Sequence, residues 1–142
     1  MRNAGTYHGS CLCGAVQYEV DQLEPRMAQC HCRMCRKFHG AAHSTYGEAK
    51  LENFRWTRGE EELAEYVASN HTTRQFCRIC GSSMTFTPSH GAGGLIEFSL
   101  ATLDCDIRER PDAHVFVDFK ADWSMICDDL PQYREGRDSP RS

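Results

Sequence analysis

Short segments of alternating apolar and polar residues, separated by turn residues, make up most of this chain. Such alternation indicates half-buried strands. We predict strands at 15–20, 26–32, 41–47, 54–59, 72–77, 83–88, 94–100 and 113–119. The segment 33–40 predicts one or two helical turns that end at Gly40, whereas 60–69 fits either a helix or a strand. The pattern therefore predicts a mainly β fold.

The bulk numbers limit the classes of partner. The 142 residues, 40% of them hydrophobic and 25% charged, suit one globular domain, which we place at 1–133. The polar tail 134–142 contains proline and glycine and is predicted to be disordered. The net charge of -4 argues against nucleic acid or an anionic membrane surface as a partner. No segment approaches the roughly 20 apolar residues of a membrane span.

The cysteine content is the unusual feature of the composition. The count of nine is odd, and the first residues, MRNAGTYHGS, contain no apolar stretch of the kind found in signal peptides. Both observations disfavour a disulfide scaffold and predict a reducing compartment, which is the cytoplasm or, if the host has one, the nucleus. Cys105 and Cys127 stand alone, but the other seven cysteines fall in three tight clusters, CLCG, CHCRMC and CRIC. This spacing predicts metal binding.

The first and third clusters together supply the four thiolates of a closed zinc site. Cys11 and Cys13 would share one face of a strand, because residues i and i+2 do so. Cys77 and Cys80 form a C-x-x-C-G knuckle. In an alternative pairing, the cysteines at 30 and 32 join those at 77 and 80, and the spacing leaves this alternative open.

The middle cluster, Cys30, Cys32 and Cys35, then offers only three ligands. Three protein ligands with one exchangeable position are typical of catalytic zinc sites. His31 would face away from its neighbours on a strand, which suggests a surface role or a role behind the ligands. His39 and His43 are rivals for the fourth position, although we prefer to interpret both as ordinary polar residues near the site.

Cationic side chains flank these clusters. Arg33, Arg36 and Lys37 adjoin the middle cluster, and Arg74 and Arg78 adjoin the third. They would bind the carboxylates of a substrate or cofactor, or they would only offset the negative charge of zinc–thiolate centres. Trp123, an isolated aromatic residue, is interpreted as a packing residue.

Several stretches in order carry a family resemblance: GSCLCGAVQYEV, CHCRMCRKFHG, FCRICGSSM, ATLDCDIRERPDAHVFVDFKADW and DDLPQY. From about Gly9 to Tyr133, the chain resembles the glutathione-dependent formaldehyde-activating enzyme family, whose domain is shared with centromere protein V. The resemblance implies an Mss4-like fold of twisted antiparallel sheets pinned by a structural zinc. That zinc would be held by Cys11, Cys13, Cys77 and Cys80.

The resemblance also implies an activity and a second zinc. A labile, catalytic zinc would be held by Cys30, Cys32 and Cys35. The expected reaction is that of a carbon–sulfur lyase, in which a thiol such as glutathione adds to formaldehyde or a similar small aldehyde, or the reverse. The alternatives are a non-catalytic zinc module for a protein or chromatin partner, and a redox or metal-buffering role for the middle cluster. A homo-oligomer is compatible with the sequence.

Overall fold

The computed structural model describes residues 5–142 and confirms the mainly β prediction. Its strands are β1 (Tyr7–Ser10), β2 (Gln17–Val20), β3 (Ala28–Cys30), β4 (Ser44–Lys50), β5 (Phe54–Arg58), β6 (Leu63–Val67), β7 (Thr73–Cys77), β8 (Ser83–Thr87), β9 (Leu95–Ser99) and β10 (Ala113–Val115). One α-helix, α1, spans Arg33–His39. Short 3-10 helices cover Leu51–Asn53, Glu60–Glu62, Leu100–Thr102 and Val117–Phe119.

The predicted elements recur with shifted ends and with three larger differences. The ambiguous segment 60–69 forms a 3-10 turn followed by β6. The strand predicted at 113–119 stops early, because Phe116 adopts a left-handed conformation with φ of 57° and the chain turns there. β1 was not predicted at Tyr7–Ser10, and it precedes the strand that was expected to carry Cys11 and Cys13. The helix ends at Gly40 as predicted, and Gly40 has φ of 60°.

The chain divides into two compact units. The first contains the described residues up to Pro25 together with Gly47–Glu109, and the second contains Arg26–Tyr46 and Arg110–Ser142. The single domain predicted for 1–133 stays a prediction. No helix in the described part of the chain has the length and apolar character to cross a membrane.

The first unit contains two antiparallel arrays. One has the strand order β1-β2-β5, and the other joins β6, β7, β8 and β9 in sequence order. Tyr18 lies at the centre of the core with 1% of its surface exposed. Its ring stacks on Phe54 at 5.1 Å between centroids and meets Phe98 edge-on at 5.3 Å. This aromatic cluster packs β2 and β5 of one array against β9 of the other.

The second unit is built around β3. This strand pairs in parallel with β10 and antiparallel with the start of β4, so that Cys30 lies opposite both Val115 and Ser44. The parallel pairing is a departure from the antiparallel expectation, and it produces a mixed sheet. It also brings a late segment of the chain beside the middle cysteine cluster, which places His114 next to Gln29.

The polar tail makes contacts that its composition does not predict. Arg134 pairs with Asp118 at 3.1 Å, and Tyr133 and Arg141 form an isolated antiparallel bridge. Arg137 donates to both carboxylate oxygens of Asp112, at 2.8 and 3.1 Å. The tail is thus linked to the second unit through ion pairs and backbone hydrogen bonds.

The Asp112 carboxylate gives a testable pH dependence. Partial burial acts to raise the pKa of Asp112, but Arg137 and the backbone N–H of Met27 outweigh it and lower that pKa below 3.8. We expect Asp112→Asn to lower the free energy of unfolding by about 0.5–1 kcal/mol at pH 7. The contribution of a carboxyl with a lowered folded pKa is present above its unfolded pKa and is lost as the pH falls through the folded value.

Urea unfolding at pH 7 and at progressively lower pH checks this expectation. The difference between wild type and Asp112→Asn should shrink as the pH falls below about 4. Asp138→Asn, a matched change at an exposed tail position, should show no such trend. A difference that stays constant with pH would contradict the role given to Asp112.

Candidate functional site

Four cysteines of the first unit meet in one cluster. The Sγ atoms of Cys11, Cys13, Cys77 and Cys80 all lie within 4.8 Å of one another. The Sγ atoms of Cys11 and Cys13 are 3.6 Å apart, and those of Cys13 and Cys77 are 3.9 Å apart. A tetrahedral zinc with Zn–S bonds of about 2.3 Å requires sulfurs about 3.8 Å apart. The residues therefore fit a closed four-thiolate zinc site.

Two similar turns present these sulfurs. After β1, the N–H of Gly14 donates to the Cys11 carbonyl at 3.1 Å, and after β7, the N–H of Gly81 donates to the Cys77 carbonyl at 2.7 Å. Both glycines have φ of 82°, a conformation that other residues rarely adopt. The expectation that Cys11 and Cys13 share a strand face is wrong, because β1 ends at Ser10 and a turn brings the two sulfurs together.

Ser82 connects the two turns. Its Oγ accepts the N–H of Leu12 at 2.8 Å and lies 3.3 Å from the Sγ of Cys80. Because the Leu12 N–H occupies an acceptor position, the Ser82 hydroxyl proton is available to the Cys80 sulfur. Burial acts to raise the pKa of Cys80, yet the hydrogen bonds from Ser82 and the backbone lower it to about 5. A thiolate is thus favoured at this position.

Ionisation of a second thiol in the same cluster is unfavourable. The backbone N–H of Ala15 lowers the pKa of Cys13, but burial and the neighbouring thiols raise it to about 11 overall. Closely packed sulfurs therefore resist successive ionisation on their own. A divalent cation reverses this balance, since it deprotonates the thiols that coordinate it. The donor set matches the chemistry of zinc.

The middle cluster lies in the second unit. The Sγ atoms of Cys30, Cys32 and Cys35 lie within 4.8 Å of one another. Cys30 ends β3, and Cys32 is the N-cap of α1, where its Sγ accepts the N–H of Cys35 at 3.3 Å. The helix start therefore holds two of the three sulfurs. Hydrogen bonds with the thiols of Cys32 and Cys35, together with burial, raise the pKa of Cys30. As in the four-sulfur cluster, the packed thiols resist ionisation until a divalent cation binds them.

Ser44 lies beside the middle cluster, because β4 places it opposite Cys30. Its side chain is 1% exposed, and its Oγ has no hydrogen-bond partner among the described residues. The Cys30 thiol acts to lower the pKa of Cys35, whereas Cys32 and burial raise that pKa more. Cys35 therefore resists ionisation in the absence of a cation.

The middle cluster gains no fourth protein ligand within residues 5–142. The Nε2 of His39 lies 3.0 Å from the Tyr46 hydroxyl, and the Nδ1 of His43 lies 3.3 Å from the Ser44 carbonyl. Both histidines that were considered as a fourth metal ligand therefore contact other groups. The sulfurs group in the pairing that the spacing favours, and the alternative that joins Cys30 and Cys32 to Cys77 and Cys80 is not found.

A cationic cavity adjoins α1. Its volume is about 410 Å³, and its lining consists of Arg33, Arg36, Lys37, Gly40, Ala41 and Trp123. All three cations that the sequence placed beside the middle cluster therefore face one space. The interpretation of Trp123 as a packing residue is wrong, since 69% of its surface is exposed. Its ring instead forms an apolar wall of the cavity.

The two other cations are engaged within the first unit. Arg74 is only 4% exposed, and its guanidinium lies 4.8 Å from the centroid of the Phe86 ring. Arg78 pairs with Glu62 at 2.6 Å. These contacts favour a structural role for both.

The sequence did not predict a hydrogen-bonded group that includes His31, the residue between Cys30 and Cys32. His31 is 1% exposed, and its Nε2 lies 2.9 Å from the Nδ1 of His114. The Nε2 of His114 lies 3.0 Å from the Asp128 carboxylate. The surface position considered for His31 is wrong, because its side chain is buried, and a role behind the ligands stays a prediction. The only sequence signal was a histidine set between two predicted ligands.

The sequence is similar to those of a known family and of several known proteins. The sequence profile of the glutathione-dependent formaldehyde-activating enzyme family matches residues 6–119. An uncharacterized lyase of Schizosaccharomyces pombe is 27% identical over 121 residues, which are 78% of this chain and 85% of that protein. A Halomonas elongata protein, provisionally named a glutathione-dependent formaldehyde-activating enzyme, is 28% identical over 126 residues, or 83% of this chain and 79% of that protein.

A solved structure shares the fold. The crystal structure of a Rhodobacter sphaeroides protein superposes with a TM-score of 0.59 at 28% sequence identity. The match covers 71% of this chain and 91% of that chain.

Proposed function

Because the chain belongs to the glutathione-dependent formaldehyde-activating enzyme family, we propose that it is a zinc-dependent lyase. It would form or cleave the carbon–sulfur bond between a thiol such as glutathione and formaldehyde or a similar small aldehyde. The observation that carries the proposal is the middle cluster, which offers three sulfurs and no fourth protein ligand within the described residues. The lyase name of the Schizosaccharomyces pombe relative supports it.

Two zinc ions per chain would serve different purposes. Cys11, Cys13, Cys77 and Cys80 would hold one with a complete protein shell, which makes it structural. Cys30, Cys32 and Cys35 would hold the catalytic one. A zinc with an exchangeable position lowers the pKa of a thiol or polarises a carbonyl oxygen. Three thiolates contribute three negative charges, so a fourth anionic sulfur would be held loosely and released readily.

The cationic cavity would bind the thiol substrate. Glutathione carries two carboxylates, and Arg33, Arg36 and Lys37 supply cations on one helix. Arg36 is held in place by its hydrogen bond to the Phe119 carbonyl at 3.1 Å. Arg33 and Lys37 are one helical turn apart, so they present their charges to the same side. Held together, thiol and aldehyde react faster, because binding supplies the orientation that free solution lacks.

We expect the double variant Arg33→Ala/Lys37→Ala to raise the KM for glutathione at least about tenfold, with little change in kcat. Each lost charge-assisted hydrogen bond costs about 1.5–3 kcal/mol, and a tenfold change is about 1.4 kcal/mol. Steady-state kinetics with glutathione and with 2-mercaptoethanol, which has no carboxylate, check this.

The uncharged thiol should have the same KM in wild type and variant. Lys50→Ala, which removes an exposed cation from β4, should leave both KM values unchanged. An equal rise in KM for glutathione and for 2-mercaptoethanol in the double variant would show that the cations do not recognise carboxylates.

The activity itself is tested by exchange spectroscopy. The thiol–aldehyde addition is reversible, so NMR of [13C]formaldehyde with glutathione reports the rate of exchange between free aldehyde and adduct. We expect the zinc-loaded protein to raise that rate above the uncatalysed one. No acceleration across a panel of thiols and small aldehydes would overturn the proposal.

A further inference from the structure

The cationic cavity beside α1 gathers three positive charges without a counter-charge. The side chains of Arg33, Arg36 and Lys37 line it, and no acidic side chain among residues 5–142 does so. None of these three cations forms an ion pair with a carboxylate in that part of the chain. Cations that share one space repel each other, so an anion that enters the cavity relieves this repulsion. The cavity therefore favours a ligand with net negative charge.

Trp123 adds a large apolar surface to the same cavity. Its side chain is 69% exposed, although tryptophan is highly buried on average in folded proteins. Arg36 of α1 donates to the Phe119 carbonyl at 3.1 Å, so the segment that leads to Trp123 is tied to the helix that carries the cations. An indole face and three cations are thus offered to one ligand.

The turn that carries Trp123 is held in place by its neighbours. The N–H of Ser124 donates to the Ala121 carbonyl at 3.2 Å, and Ala121 is only 1% exposed. The Lys120 ammonium donates to the carbonyls of both Ala121 and Ser124. A ligand therefore meets a preformed wall, and little ordering entropy is lost when it binds.

The indole face and the cations together limit which groups of a ligand can contact Trp123. The face of an aromatic ring is electron-rich, so it disfavours a carboxylate. The ring attracts an ammonium group, but the three cations of the cavity repel it, and three full charges outweigh one cation–π contact. A neutral apolar or aromatic group meets neither penalty and gains from stacking on the indole.

We propose that Trp123 is a specificity-determining residue that makes the cavity selective for anionic thiols with an apolar or aromatic group close to the carboxylate. The cations bind the carboxylate, and the indole binds the neighbouring group. A thiol with a free ammonium in that place binds less tightly than its N-acylated counterpart. That the ligand is a thiol rests on the proposed function, whereas the preference for an apolar group beside the carboxylate does not.

S-methylated cysteines test this preference without turnover, because a thioether cannot add to an aldehyde. S-methyl-N-benzoylcysteine and S-methyl-N-acetylcysteine share one carboxylate and differ only in a phenyl or a methyl group, while S-methylcysteine keeps the free ammonium. In NMR titrations of the 15N-labelled, zinc-loaded protein, we expect the benzoyl compound to bind about tenfold more tightly than the acetyl compound. S-methylcysteine should bind most weakly. The indole N–H signal of Trp123 should shift, and that of Trp56 should not.

Variants separate the contribution of the indole from that of the cations. In Trp123→Ala, the benzoyl and acetyl compounds should bind equally, and Trp123→Phe should keep most of the preference because its ring still stacks. Met125→Ala is the matched control, since Met125 is 83% exposed on the same segment but does not line the cavity, and it should keep the wild-type ratio. In Arg33→Ala/Lys37→Ala, both compounds should bind at least about tenfold more weakly, with an unchanged ratio.

The outcomes distinguish this proposal from the proposed function. Equal affinity for the benzoyl and acetyl compounds in wild type, a Trp123→Ala protein that keeps the preference, or an unshifted Trp123 signal would overturn the specificity role, whether or not the protein accelerates exchange. The predicted preference and its loss in Trp123→Ala, without acceleration of formaldehyde exchange by any thiol, would overturn the lyase function alone.

Discussion

Replacing Cys77 with serine is expected to unfold the first unit of the protein in the presence of zinc. Cys77 has no exposed surface, ends β7 and lies 3.9 Å from Cys13 in the four-sulfur cluster. Closed four-ligand zinc sites in small domains contribute about 10–16 kcal/mol of apparent folding free energy, comparable with the roughly 5–15 kcal/mol of a whole domain. Serine is a much poorer zinc ligand than a thiolate, so most of this contribution should be lost.

Circular dichroism and thermal unfolding in zinc-containing buffer measure the effect. Cys127→Ser is the matched control, because Cys127 is exposed and lies outside both clusters. It should unfold like the wild type. A Cys77→Ser protein with an unchanged Tm would mean that the four-sulfur cluster does not stabilise the fold.

Replacing Cys32 with serine is expected to abolish activity and to leave the fold intact. The change removes one of three sulfurs from the middle cluster, and we expect kcat to fall by more than about 100-fold, beyond the usual effect of residues behind metal ligands. The helix start should survive, because Cys32 is the N-cap of α1 and serine is among the preferred N-cap residues.

Exchange spectroscopy with formaldehyde and glutathione measures the activity, and thermal unfolding measures the fold. Cys32→Ala should be equally inactive and less stable than Cys32→Ser by about 1 kcal/mol, since alanine cannot cap the helix. A folded Cys32→Ser protein that keeps its exchange rate would remove the middle cluster from the reaction.

The local patterns of the sequence were sufficient for most strands and for the sulfur clusters. Alternating residues predicted β2–β5 and β7–β10 with shifted ends and left β6 open between helix and strand, because half-buried strands impose that alternation directly. The cysteine clusters could also be recognised from local spacing, because the protein ligands of one zinc ion often come in closely spaced pairs. β1 was missed because Tyr7–Ser10 is short and contains a glycine.

The hydrogen bond between His31 and His114 could not be predicted from the spacing of residues in the sequence. His31 and His114 are 83 residues apart, and the parallel pairing of β3 with β10 brings them together. Nothing in the local pattern of either strand specifies a parallel partner that far along the chain. The exposure of Trp123 is equally a property of tertiary packing, since a lone aromatic residue has no local signal that distinguishes a core from a cavity wall.

The zinc content of three purified proteins tests most directly the claim that one cluster is a closed site and the other an open one. Wild type should contain two zinc ions per chain, of which a mild chelator removes one together with the activity. Cys32→Ser should contain one zinc that resists the same chelator, and Cys77→Ser should lose the resistant ion. Two equally resistant ions in wild type, or a Cys32→Ser protein that loses its resistant zinc, would contradict the account.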